Sequence, residues 1–232
     1  MNDEELKLSE EAFQWIKTNH KKVIQKFADA TEHVADELPT TLFMAGSPGA
    51  GKTEISKRLI PRFKQKPIRI DADEIRTLCP GYAGNNAHVF QDAATKGVHI
   101  LYDYALKNNI NVILDGTFAY NGALENIKRS LDRGRKVEIF FVYQDPLQAW
   151  DFTKKREALE QRRVSKEVFI DSFLKARENV NKAKATFGQS IELNLIIKDF
   201  EKDLEQLEIN IENIDRYIKK SYTKNELDKL LA

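Results

Sequence analysis

Two rhythms of apolar residues run along the chain. Phe13, Ile16, His20, Val23, Ile24 and Phe27 recur at helical spacing, Ser9 stands where it can cap their start, and Pro39 closes the segment. This predicts an amphipathic N-terminal arm over about residues 8–36, packed on the rest of the protein or covered by a partner. Short apolar runs at 42–45, 68–73, 111–114, 137–143 and 191–197 read as buried strands, the second by its alternation and the fourth by its unbroken length. Helical patterns separate them. One runs from about Lys52 to Pro61, and one passes through Val98, Leu101, Tyr102, Ala105 and Leu106 to Asn108-Asn109. Three more cover 121–132 up to the Gly134 break, the stretch opened by Pro146, and the stretch from a Ser165 cap to about Phe187. Beyond the last strand Leu204, Leu207, Ile211, Ile214 and Ile218 alternate spacings of three and four, which predicts a C-terminal helix over about 201–231 packed on the domain.

Strands alternating with helices predict an α/β fold, a mainly parallel sheet with helices on both faces and extra N- and C-terminal helices. No internal repeat, low-complexity segment or flexible linker divides the chain, so it reads as one domain with its core at about 38–200. In such sheets ligands sit beyond the carboxyl ends of the strands.

The first strand leads into Gly46-Ser47-Pro48-Gly49-Ala50-Gly51-Lys52-Thr53, which fits the G-x-x-x-x-G-K-S/T phosphate loop. The glycines let backbone N–H groups curl around phosphates, and the following helix adds its own N-terminal donors and dipole. Lys52 supplies a point charge near β- and γ-oxygens, and the Thr53 hydroxyl can ligate the magnesium that travels with a nucleotide. The competing reading is a glycine-rich turn that binds nothing, but strand, loop, Lys-Thr and helix occur in the required order. The fold expected is therefore that of a P-loop NTPase or kinase.

Charge and composition narrow the partners. The 232 residues carry 37 Lys plus Arg against 36 Asp plus Glu, a balance that argues against a general nucleic-acid binder. Cys79 is the single cysteine and forms no internal disulfide. No apolar run is long enough to span a bilayer, and the acidic start is unlike a signal peptide, so a soluble cytoplasmic protein is expected.

Other candidates lie at strand ends. Asp115 follows Val112-Ile113-Leu114, as a metal-proximal acid does in phosphate-loop proteins, although Asp115-Gly116-Thr117 also suits an ordinary strand-end turn. Asp71 and Asp73 alternate across the end of the second strand, so one of them faces the γ-phosphate side. Asp73 is the candidate base for an acceptor hydroxyl; helix capping near Glu74 is the alternative. Arg156 and Arg162, in the basic stretch 154–163, are candidate clamps for a transferring phosphoryl, against the default of a solvated helix face. His88 and His99 lack metal-ligand spacing.

Together these segments resemble the zeta toxin family of phosphate-loop kinases over roughly residues 38–200. The resemblance is carried by the loop through Thr53, Ile70-Asp71-Ala72-Asp73, Leu114-Asp115-Gly116-Thr117, Pro146 with Trp150 and Arg156, and Arg162-Arg163-Val164-Ser165. It implies that Asp73, the second acid of an I-D-x-D motif, is the catalytic base. It also implies that Lys52 and Thr53 hold ATP and magnesium, and that Arg156 and Arg162 contact the phosphates. Founding members phosphorylate UDP-N-acetylglucosamine on its sugar and are restrained by an epsilon antitoxin that blocks the ATP site.

The sequence departs from them in four places. Asp115 replaces a glutamate, Phe118-Ala119 stands where an arginine follows Gly-Thr, Ser165 replaces a lid proline, and the glutamate that holds the sugar nucleotide falls at His99. Asp73, Glu74, His99 and Thr117 are the candidate acceptor contacts.

The resulting expectation is an ATP- or GTP-dependent, magnesium-assisted kinase acting on a hydroxyl of a UDP-N-acetylglucosamine-like metabolite as a zeta-type toxin. An antitoxin, or the arm over 8–33 acting in cis, is the expected restraint at the ATP site. Alternatives are a nucleoside or nucleic-acid-end kinase and a nucleotide-dependent switch without transfer activity.

Overall fold

A computed structural model describes residues 1–160, 162–199 and 204–231. Its strands are β1 (Thr40–Ala45), β2 (Ile68–Asp71), β3 (Val112–Asp115), β4 (Lys136–Gln144), β5 (Glu192–Asp199) and β6 (Leu204–Glu208). The helices are α1 (Asp3–Thr18), α2 (His20–Phe27), α3 (Lys52–Leu59), α4 (Ala72–Arg76) and α5 (Gln91–Lys107), followed by α6 (Ala123–Leu131), α7 (Pro146–Glu160), α8 (Lys166–Phe187) and α9 (Lys224–Leu230). The strands form one sheet in the order β2-β3-β1-β4-β5-β6, parallel except for antiparallel β6.

Alternation along the strands divides the core between two faces. Leu42, Met44, Phe140, Val142 and Ile196 bury against Ile55 and Leu59 of α3. Phe43, Ala45, Ile139, Phe141 and Leu195 bury on the opposite face with residues of α5, α6 and α8, such as Leu101, Ile127 and Val180. Covering both faces leaves few polar positions within the parallel strands, Thr41, Arg69, Glu138 and Asn194 among them, so most of each strand reads as an apolar run.

The arm is two helices instead of one. Asn2, not Ser9, caps α1, in a reciprocal capping box with Glu5. Asn19 ends α1, its side chain donating to the Trp15 carbonyl at 2.9 Å, and the chain restarts as α2. Ala12, Ile16 and Val23 join the main core, and α1 packs on α5 and the 3-10 turn Ala87–Phe90. His88 on that turn pairs with Glu5 at 3.1 Å.

The C-terminal seam is a correction. Residues 201–203 of the expected helix, and position 200 at the expected core boundary, lie outside the described residues. Residues 204–208 form β6, paired from Leu195↔Glu208 to Asp199↔Leu204, so 191–197 is not the last strand. Ile211, Ile214 and Ile218 do enter the core, but along an irregular segment with the 3-10 turn Ile214–Arg216. Two asparagines break the helical reading: Asn210 takes a left-handed φ of 48°, and Asn213 caps the 3-10 turn. Closing the open edge of β5 satisfies a row of backbone groups that a helix there would leave unpaired. Helix α9 occupies only the end of the expected range.

Candidate active site

The phosphate loop leaves β1 under tight backbone constraint. At Gly46, φ is 132° and a Cβ would lie 2.3 Å from the Val142 carbonyl oxygen; at Gly49, a Cβ would lie 2.0 Å from that of Ala149. Only glycine fits such approaches. The Gly46 amide donates to the Thr117 carbonyl at 3.1 Å, tying the loop to the turn after β3. Lys52 opens α3 and folds back to donate to the Ser47 carbonyl at 2.6 Å. Burial pushes its pKa down to about 8, against the pull of the Asp115 and Asp73 carboxylates.

The strand-tip acids take distinct positions. Asp71 and Asp115 are register partners on β2 and β3. Asp71 caps α4, its Oδ1 accepting from the Asp73 amide at 2.9 Å. That cap puts Asp73 on the first turn of α4. Asp115 is buried, and its Oδ2 accepts from Ser56 Oγ at 2.7 Å and from Arg69 Nη1 at 2.6 Å. Ser56 Oγ also lies 3.0 Å from the Thr53 carbonyl oxygen, so the hydroxyl stands between the magnesium candidates Thr53 and Asp115 and gives its single proton to one acceptor at a time.

Three guanidinium groups converge on Asp73. Arg76, one turn along α4, and Arg162, between α7 and α8, each donate to it, and Arg156 Nη2 stands 3.7 Å away. Ser165 caps α8 by accepting from the Val168 amide at 3.3 Å, and Arg162 lies in the irregular segment just before it. The rest of the basic stretch behaves differently. Lys154 and Lys155 pair with Glu157 and Asp151 of their own helix, at 2.9 and 2.6 Å.

Lys52, Asp73, Asp115, Arg156 and Arg162 are thus linked by bonds or by their fields. Glu74 joins through Arg69, to which its Oε1 is bonded. The Thr117 hydroxyl accepts from the Ala119 amide at 3.3 Å within its own turn. His99 is exposed on α5, and among the described residues no hydrogen bond ties it to the cluster. Phe118 is buried with its ring 5.6 Å from that of Phe43, so the position after Gly-Thr is a packing one here.

Sequence reasoning missed Arg69, Arg76 and Ser56. The signal for the arginines lay in Arg69-Ile-Asp71-Ala-Asp73-Glu-Ile-Arg76. Spacing of two on a strand and three on a helix places each cation beside an acid. Arg69 carries a raised pKa: burial opposes its charge, but Asp115, Glu74 and Asp71 outweigh it. Arg76 is lowered, because burial exceeds the pull of Asp73.

Among the described residues no three His, Cys, Asp or Glu side chains form a metal-binding group. A nucleotide-borne magnesium keeps waters and phosphate oxygens and needs only one or two protein ligands, which Thr53 and Asp115 fit. A separate cavity of about 300 Å³ lies at the amino end of the sheet, lined by Asp36, Arg62, Lys136 and Glu138 among others. Its charges are internally matched, with Lys136 and Arg62 at 2.9 and 3.6 Å from Glu138.

The family model named Zeta toxin matches residues 24–211. The chain belongs to the zeta toxin family. It is accordingly a kinase of that family, and the sheet and phosphate loop above are the zeta toxin form of the P-loop fold. No curated protein matches at a significant level. Among solved structures, one describing the PezAT chromosomal toxin-antitoxin system of Streptococcus pneumoniae aligns with a TM-score of 0.65 at 16% identity, over 99% of this chain and 93% of the other. The AvrRxo1-ORF1:AvrRxo1-ORF2 complex with sulphate ions aligns with a TM-score of 0.61 at 17% identity, over 97% and 78%. At these identities the likeness is one of fold. No helix among the described residues is long and apolar enough to cross a membrane.

Proposed function

We propose that this zeta toxin family member transfers the γ-phosphoryl group of ATP or GTP to a hydroxyl of a small metabolite. A UDP-N-acetylglucosamine-like sugar nucleotide is the favoured acceptor. The observation that carries the reading is the placement of Asp73. Its carboxylate stands at the carboxyl end of β2, within the electrostatic reach of the phosphate-loop lysine and under two arginines from the α7–α8 segment.

The chemistry follows from these positions. The loop amides and Lys52 hold the triphosphate, and Thr53 with Asp115 would hold magnesium, which supplies charge neutralisation at the β- and γ-oxygens when bound. The acceptor oxygen forms the new bond to the γ-phosphorus as the bond to the nucleoside diphosphate breaks, and the hydroxyl proton passes to Asp73. Arg156 and Arg162 take up charge on the phosphoryl oxygens; guanidinium forks suit that geometry better than ammonium groups. Glu74, His99 and Thr117 are the candidate contacts to the acceptor.

The same reading makes the chain a single-domain, cytoplasmic zeta-type toxin whose activity an antitoxin restrains. The test is incubation of the protein with γ-labelled ATP or GTP, magnesium and, separately, UDP-sugars, nucleosides, oligonucleotides and a metabolite extract, read by mass spectrometry. A phosphorylated sugar nucleotide supports the proposal. Label passing only to oligonucleotide ends, or to nothing, contradicts it.

A further inference from the structure

Arg69 precedes Asp71 by two residues on β2, so both side chains leave the same face of the sheet. Its Nη1 donates to Asp71 Oδ2 at 3.1 Å and to Asp115 Oδ2 at 2.6 Å, while Nη2 bonds Glu74. The Arg69 side chain is only 10% exposed. Two carboxylates at adjacent strand tips repel each other or draw in a hard cation. Here a guanidinium takes that position. Oδ2 of Asp115 already accepts from Arg69 and Ser56, and among the described residues no hydrogen bond reaches Oδ1.

We propose that Arg69 acts through the metal-proximal acid by its charge. From its place against both strand-tip carboxylates it offsets the charge of Asp115. The protein therefore holds the metal weakly, and the phosphates carry most of the coordination. Arg69 also bars the space between Asp71 and Asp115 to a second cation, so metal is confined to the Thr53 side. The inference rests on the kinase reading above.

The test is the magnesium dependence of binding of a non-hydrolysable ATP analogue, measured by calorimetry on the full chain. Removing the charge in Arg69→Met is expected to tighten the site, lowering the half-saturating magnesium concentration by roughly threefold to tenfold. Arg69→Lys keeps the charge and is expected to stay within about twofold of the parent. Arg69→Gln, a neutral donor, serves if the Met variant does not fold, and the same fall is expected.

A purely structural arginine would leave the magnesium dependence unshifted or weaken it. Either result in a folded neutral variant overturns the inference, as does a Lys variant shifted as far as the Met variant. Parent protein that binds the analogue without any magnesium dependence overturns the kinase reading and this inference together. A magnesium-dependent parent with unshifted variants overturns this inference alone.

Discussion

Arg162 donates a hydrogen bond to Oδ2 of Asp73, although the two residues lie 89 positions apart. Arg162 and the candidate base are one ion pair, which Arg156 approaches at 3.7 Å. In the proposed mechanism both partners have a second task, one toward the phosphate oxygens and the other toward the acceptor hydroxyl. In that mechanism, drawing Arg162 onto a bound triphosphate would release Oδ2 of Asp73 for the acceptor while Arg76 keeps hold of Oδ1, so arrival of the donor would ready the base.

Arg162→Ala is accordingly expected to lower kcat by about a thousandfold, with less than about a tenfold change in nucleotide affinity. Arg162→Lys should recover little, since an ammonium cannot reproduce the fork. Steady-state kinetics beside direct nucleotide binding checks both. A Lys variant at parental kcat would remove the guanidinium from the mechanism.

Nucleotide affinity should depend on pH through Lys52. Its pKa is lowered to about 8, so the ammonium predominates below that pH and the neutral amine above it. Triphosphate favours the charged form. Affinity should be level at pH 6.5 to 7 and weaken above pH 8, approaching about tenfold per unit, with proton uptake on binding near pH 8. Calorimetry in buffers of different ionisation enthalpy measures the uptake. Equal affinity at pH 7 and pH 9.5 would contradict the assignment.

Ser56→Ala removes a donor to buried Asp115 at 2.7 Å and the hydroxyl that stands between it and the Thr53 carbonyl. Leaving a buried carboxylate one donor short should cost about 1–3 kcal/mol. In a chain of this length each kcal/mol corresponds to a fall in Tm of about 2–4 °C. Thermal unfolding monitored by circular dichroism provides the measurement, and an unchanged Tm would show that Arg69 alone satisfies Asp115.

Much of this was readable from the residues because the sheet is covered on both faces. Burial made β1, β3, β4 and β5 apolar, and the phosphate loop carries its own spacing. The end of the chain was not readable, since the three-and-four spacing of Leu204, Leu207, Ile211, Ile214 and Ile218 suits a helix as well as an edge strand followed by an irregular core segment. What separates the two is the unpaired edge of β5, a tertiary fact. Ser9 misled for a similar reason: a capping residue does not start a helix when Asn2 and Glu5 can cap it a turn and more earlier. At the site, Asp73, Arg156 and Arg162, which the structure brings together, are candidates by type and position. For Arg69 the local spacing pointed only to Asp71, because Asp115, the acid that ties it to the metal candidates, lies 46 positions away on a neighbouring strand. Nothing local distinguishes a strand arginine that faces solvent from one that joins two strand tips.

The most direct measurement compares Asp73→Asn with the parent protein for binding of ATP and for transfer of its γ-phosphoryl to the acceptor. Loss of a positioned base should slow transfer by at least about a hundredfold, while binding through the phosphate loop stays within about threefold. An Asp73→Asn protein that transfers phosphoryl at the parental rate would contradict the account.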